Sequence, residues 1–225
     1  MEILTKEWNA YIDSMKKAIS EEESWQKELD GCLEMAEAAK NGDEGALLDL
    51  IACKTEAGID FEESVEFLNK KADEGDIFAL KTLGFLNCVG VFNPFDKSKS
   101  SLVEINTDES DQKAAGYFKR ACDLGSVHAM VWFAMRDCIH AASWSGFPEE
   151  NTEPAPGAED FFKAEKSALK AIEESKKPGC DCTPNAISIV YYWLSSVYAS
   201  KNPVNPVYDE EKARYWKECY EKLTH

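Results

Sequence analysis

The sequence lacks any apolar run long enough to cross a bilayer, any excess of basic charge and any of the short motifs that mark common catalytic centres. With 25 Lys and Arg against 42 Asp and Glu, the formal charge is −17 at pH 7. That balance argues against nucleic acid as a partner, because neutralising phosphates takes clustered cations. There is no glycine-rich phosphate loop, no His-Glu-x-x-His and no glycine-flanked nucleophilic serine. The three histidines are sparse: His128 and His140 fall on one expected helix and His225 is the last residue. A solvated or structural imidazole is the simpler reading of each. Glu62-Glu63 and Glu149-Glu150 read as helix-cap and loop charges rather than acid–base pairs. The expectation is a protein that is not an enzyme and carries no cofactor or metal. The first residues, Met1 to Glu7, have neither a basic leader nor an apolar core, so the expected location is cytoplasmic and away from any membrane. Alternating apolar and polar residues, the mark of a strand, are also missing, which points to an all-α chain.

What the chain does have is an internal register. Three times a glycine is followed by Asp or Ser, an alanine at plus four and a large apolar residue at plus eight: Gly42-Asp43-Ala46-Leu50, Gly75-Asp76-Ala79-Leu83 and Gly125-Ser126-Ala129-Phe133. Glycine adopts the left-handed conformation that closes a helix, and the following Asp or Ser accepts hydrogen bonds from the first free amides of the next one. The alanine permits close backbone approach, and the larger residue one turn later fills the seam on the same face. A second echo lies on the return helices, as Ala114, Tyr117, Phe118 and Ala121, then Ser64, Phe67, Leu68 and Lys71, and again Ala213 and Trp216.

Ten helices are expected as about five antiparallel pairs. Leu4, Trp8, Tyr11, Ile12, Met15 and Ile19 share a face of the first, and Ser20-Glu21-Glu22-Glu23 suits a capping box opening the second, which continues through Trp25, Leu29, Leu33 and Ala36. The others are expected over 43–57, 61–74, 76–89, 111–124, 126–142, 158–176, 184–200 and 208–223. Loops inserted near 92–110, with Asn93-Pro94, and near 143–158, with Pro148, Pro154 and Pro156, interrupt the pairs. A repeat unit this small cannot bury its own apolar face, so the pairs should stack into a single α/α superhelical solenoid domain over residues 1–225.

The stretch from Ala72 through Gly75, Asp76, Ala79, Leu83 and Gly84, with Gly90-Val91 and then Lys113-Ala114-Ala115, Tyr117-Phe118 and Ala121, resembles the Sel-one-like repeat family, short α/α repeats related to tetratricopeptide repeats. The likeness covers about residues 36–142 well and the rest poorly. In the last repeat Cys182 stands where glycine is expected before Ala186 and Val190, so that turn must close differently, through Gly179 or Pro184. The resemblance implies that the first helix of each pair lines a concave wall. On that basis Phe78, Lys81, Phe85 and Cys88 face the groove, followed at the same offsets by His128, Val131, Met135 and Cys138, then Asn185, Ser188, Tyr192 and Ser195. The alternative is that Phe78, Phe85 and Met135 pack against one another between repeats. Some secreted members that resemble this family staple each repeat with a disulfide at a constant spacing. That spacing is absent among the eight cysteines here, and reduced, mostly buried thiols are expected. Cys180-Asp181-Cys182 is the one cluster suggesting metal or redox chemistry, and it lacks the second ligand pair of a structural zinc site.

These observations lead to a non-enzymatic scaffold that holds a protein or peptide on its concave face. An acidic inhibitor or immunity-type protein neutralising a basic partner is the second reading, and a cysteine-centred metal or redox protein the third. The run Tyr191-Tyr192-Trp193-Leu194 holds more large apolar groups than one helix face needs, so the C-terminal helix around Tyr215 and Trp216, or a partner, must cover some of them.

Overall fold

A computed structural model describes residues 3–19, 25–142 and 156–224. Among the described residues all regular structure is helical. The order is α1 (Lys6–Ile19), α2 (Trp25–Lys40), α3 (Glu44–Glu56), α4 (Phe61–Asp73), α5 (Ile77–Val89), a 3₁₀ turn (Lys97–Leu102), α6 (Asp108–Asp123), α7 (Val127–Ala142), α8 (Ala158–Glu174), α9 (Pro184–Ala199) and α10 (Glu210–Thr224). The expected helices all form, and neighbours in sequence pack as pairs, the architecture of an all-α helical repeat. The capping box expected at Ser20-Glu21-Glu22-Glu23 and residues 143–155 of the second inserted loop lie outside the described residues.

The glycine-led turns do what their chemistry predicts. Gly42, Gly75 and Gly125 take φ of 93°, 89° and 94°. After them, Asp43 accepts from the Ala46 amide at 2.9 Å, Asp76 from Ala79 at 2.8 Å and Ser126 Oγ from Ala129 at 3.1 Å. The Asp43 and Asp76 amides reach back to the carbonyls of Ala38 and Lys71, satisfying groups the helix end leaves free.

The chain packs as two compact units, Met1–Ala121 and Cys122–His225. In the first, α2 lies between α1 and α3, α3 also packs on α4 and α5, and α4 pairs with α5. Trp8, Ile12, Met15, Leu29, Cys32, Ala36, Leu50 and Ile59 form one buried cluster. Leu33 lies on α2 as expected and is exposed, while Leu29, Cys32 and Ala36 are buried. The inserted segment after α5 holds more structure than its polar composition suggests. Asn93 is buried, donates to the Ala57 carbonyl at 2.8 Å and accepts the Phe95 and Asp96 amides. Phe95 then packs edge-on to Tyr11 and against Trp25. The segment includes the 3₁₀ turn and gives its last residues to α6, which opens at Asp108 rather than 111. Thr107 and Ser110 exchange amide-to-hydroxyl hydrogen bonds at 3.1 Å in each direction, a reciprocal cap three residues upstream of the expected start.

In the second unit α7 packs on both α8 and α9, and α9 pairs with α10. Ala134, Cys138, Phe161, Ala164, Ala168, Val190, Leu194 and Val197 form the core. Phe133, at plus eight from Gly125, is only half-buried and meets Trp132 edge-on. The turn before α9 closes through Gly179 at φ 75°, while Thr183 accepts the Ala186 amide at 3.2 Å and Pro184 occupies the first turn. Both residues named as alternatives for closing this turn therefore take part.

Candidate partner-binding surfaces

On α5, Ala79, Leu80, Leu83 and Leu86 are buried. Gly84 is buried with them against α6: a Cβ there would sit 2.9 Å from the Phe118 ring. That packing turns the remaining arc outward. Phe78 is 37% exposed, while Lys81, Phe85 and Cys88 are half-buried. Phe85 also meets Phe118 edge-on at 5.1 Å, so part of its ring already serves the interior.

The α7 positions divide differently. His128 and Met135 are half-buried, whereas Val131 and Cys138 lie in the core of the second unit. The reason is that α7 is covered on two flanks, by α8 and α9, which widens its buried arc. The Cys138 thiol donates to the Ala164 carbonyl, and burial, with Asp137 beside it, pushes its pKa up to about 12. This thiol offers neither surface nor nucleophile.

Along α9, Asn185 is exposed, while Ser188 is buried with its hydroxyl on the Asn185 carbonyl at 2.7 Å, and Ser195 is buried as well. Tyr192 remains 46% exposed although its ring touches Trp193 and Tyr220. Of its neighbours, Tyr191 stacks on Trp216 at 5.5 Å and Leu194 is buried. The C-terminal helix therefore covers Tyr191 and leaves Tyr192 largely open. Tyr215 is 57% exposed beside Trp216.

Two arrangements join residues that the sequence patterns left unconnected. In the first unit Lys54 is buried, and its ammonium donates to Asp60 Oδ2 at 2.9 Å; Thr5 donates to the same oxygen at 2.7 Å. Asp60 itself has φ 45°, and its amide donates to Glu7 Oε2 at 2.8 Å, so the turn between α3 and α4 is tied to the start of α1. Beside this anchor Glu7, Asp60, Glu62, Glu63 and Glu66 border an open depression of about 700 Å³, with Lys99 the one cation on its rim among the described residues. Glu62 and Glu63 sit in the first turn of α4, where the helix dipole favours them.

In the second unit Asp181, the residue between Cys180 and Cys182, reaches the start of α7. It accepts from the Val127 amide at 2.7 Å, the His128 amide at 3.1 Å and the Ser126 hydroxyl at 2.6 Å. The flanking thiols donate to backbone, Cys180 to Ser175 and Cys182 to Thr183. Among the described residues no group of three or more His, Cys, Asp or Glu is disposed to hold a metal ion, and no helix is long and apolar enough to cross a membrane. Comparison with protein-family models, curated proteins and solved structures yields no match.

Proposed function

We propose that this chain is a non-enzymatic interaction scaffold whose helix pairs hold open aromatic side chains in fixed positions for a protein or peptide partner. The observation that carries this reading is Tyr192, left 46% exposed in the middle of a helix whose other face is a packed core. A large ring fixed by Trp193 and Tyr220 loses little freedom on binding, and it offers both an apolar face and a hydroxyl. Phe78 on α5 is an open apolar ring of the first unit. The resemblance to Sel-one-like repeats supports this reading, since it implies a surface built for macromolecules, and the formal charge of −17 weighs against nucleic acid as the partner. The test is capture from native lysate by the wild type, Phe78→Ser and Tyr192→Ser, with helicity checked by circular dichroism. Retention of a discrete protein that both substitutions weaken at unchanged helicity supports the scaffold. Equal capture by all three removes it.

The acidic inhibitor remains a second reading because of one specific feature, the carboxylate-bordered depression around Asp60, Glu62, Glu63 and Glu66. A basic partner steered to it by the net charge of −17 would lose affinity steeply between about 0.05 and 0.2 M salt. Association indifferent to salt and sensitive to Tyr192→Ser favours the aromatic surface instead.

A further inference from the structure

Cys32 on α2 and Cys53 on α3 have their sulfurs 4.0 Å apart. Cys32 stands ten residues before Gly42 and Cys53 ten after Asp43, so both lie about 15 Å from the turn at 1.5 Å of rise per residue. Antiparallel packing of α2 on α3 brings the two level, Cys32 in the middle of α2 and Cys53 in the last turn of α3. Cys32 is buried and Cys53 half-buried, within the cluster that includes Tyr11, Trp25 and Phe95. One thiol donates its S–H to the other sulfur. Donation from Cys53 stabilises the Cys32 thiolate and holds Cys32 below the ordinary thiol range, while the shared hydrogen bond, together with burial, favours the protonated form of Cys53 and pushes it up.

We propose that Cys32 and Cys53 are a modification site: an oxidisable dithiol that hydrogen peroxide converts to a disulfide joining the middle of α2 to the last turn of α3. The Cys32 thiolate attacks one peroxide oxygen, the O–O bond breaks, and the displaced oxygen leaves as water after taking up a proton. This gives a sulfenic acid on Cys32. The Cys53 sulfur then attacks the Cys32 sulfur, the S–O bond breaks, and the hydroxyl leaves as a second water with the Cys53 proton. The sulfurs are oxidised by two electrons in total and the peroxide is reduced by two. Closing from 4.0 Å to the S–S length of about 2.05 Å is a movement of side chains on two helices already in contact. The linkage closes a loop that includes the whole Gly42-Asp43 turn, and so restricts the unfolded chain more than the folded one.

The test uses the full chain, reduced and freed of reductant, exposed to hydrogen peroxide at one to two equivalents and then quenched with an alkylating agent. Non-reducing peptide mapping is expected to find the Cys32–Cys53 linkage before any other. Free thiols should fall from eight by two, dithiothreitol should restore them, and the oxidised form should melt several degrees higher. In Cys53→Ser the Cys32 sulfenic acid should persist and react with dimedone, with no linkage formed. A pair that stays reduced while other cysteines oxidise, a Cys32 linked elsewhere, or a sulfinic acid with no linkage in the wild type each overturns the proposal. The wild-type map decides the matter even where the Cys53→Ser chain folds poorly.

Discussion

At the scale of single residues, the chain uses one buried ion pair and one missing side chain to fix its first unit. Lys54 is almost wholly enclosed, with a side chain 1% exposed, and its charge is met by Asp60. Removing one member of such a pair strands the other, so Asp60→Ala is expected to cost about 3–5 kcal/mol in urea denaturation. Lys54→Met, which leaves the partly exposed carboxylate to water and Thr5, should cost distinctly less. Equal losses would mean that the pair is held by water rather than by its neighbours. Gly84 is the complementary case. Alanine there drives a methyl into the enclosed Phe118 ring and is expected to cost about 1–3 kcal/mol. At Gly116, where nothing lies within 4 Å of an added Cβ, alanine should instead stabilise α6 by about 0.5–1 kcal/mol. Gly84 was visible in the sequence as part of the repeat. Lys54 was not, because a lysine followed by polar residues reads as solvated until the fold brings Asp60 and Trp8 to it.

At the scale of elements, the helices that meet at glycine-led turns were legible because those turns carry both a stop and a start. Gly42-Asp43 and Gly75-Asp76 encode closure and cap within two residues, and the structure reproduces both with the same hydrogen bonds. What short-range reading could not supply was the cap that comes from far along the chain. Asp181 serves the start of α7 from 54 residues away, and in sequence it stood out only as the middle of a Cys-x-Cys. Asp181→Ala should remove a charged cap from three donors and cost about 1–2 kcal/mol, whereas Asp181→Asn, which keeps an acceptor, should cost less. Chemical denaturation of the three chains checks this, and a neutral Asp181→Ala would show that Ser126 alone suffices. The early start of α6 has a different, local cause. Thr107 and Ser110 cap each other within a segment whose lack of apolar periodicity hid the helix. Burial of Val131, Cys138 and Ser188, by contrast, follows from which helices flank α7 and α9, and repeat offsets carry no information on that.

For the molecule as a whole, composition sets the electrostatic background. A charge of −17 on 225 residues disfavours the compact state through self-repulsion, so raising the salt from about 0.01 to 0.15 M should raise the melting temperature. Each kcal/mol of relieved repulsion corresponds to about 2–4 °C in a chain of this size. A melting temperature that falls with salt would place the dominant charge interactions in attractive pairs such as Lys163–Asp137 rather than in the net field. The all-helical architecture was readable at this scale because the repeat register recurs. The partner was not readable at any scale: the open rings on α5 of the first unit and on α9 of the second mark where the proposed contact is tested and do not name what it holds.

The central claim is that those rings are where a partner sits. Amide hydrogen exchange on the chain with and without its captured partner tests it most directly. Slowed exchange concentrated in α5 and α9, around Phe78 and Tyr192, is the predicted result. Unchanged exchange there, with protection appearing only around Asp60 and Glu62 to Glu66, would contradict it and move the contact to the acidic depression.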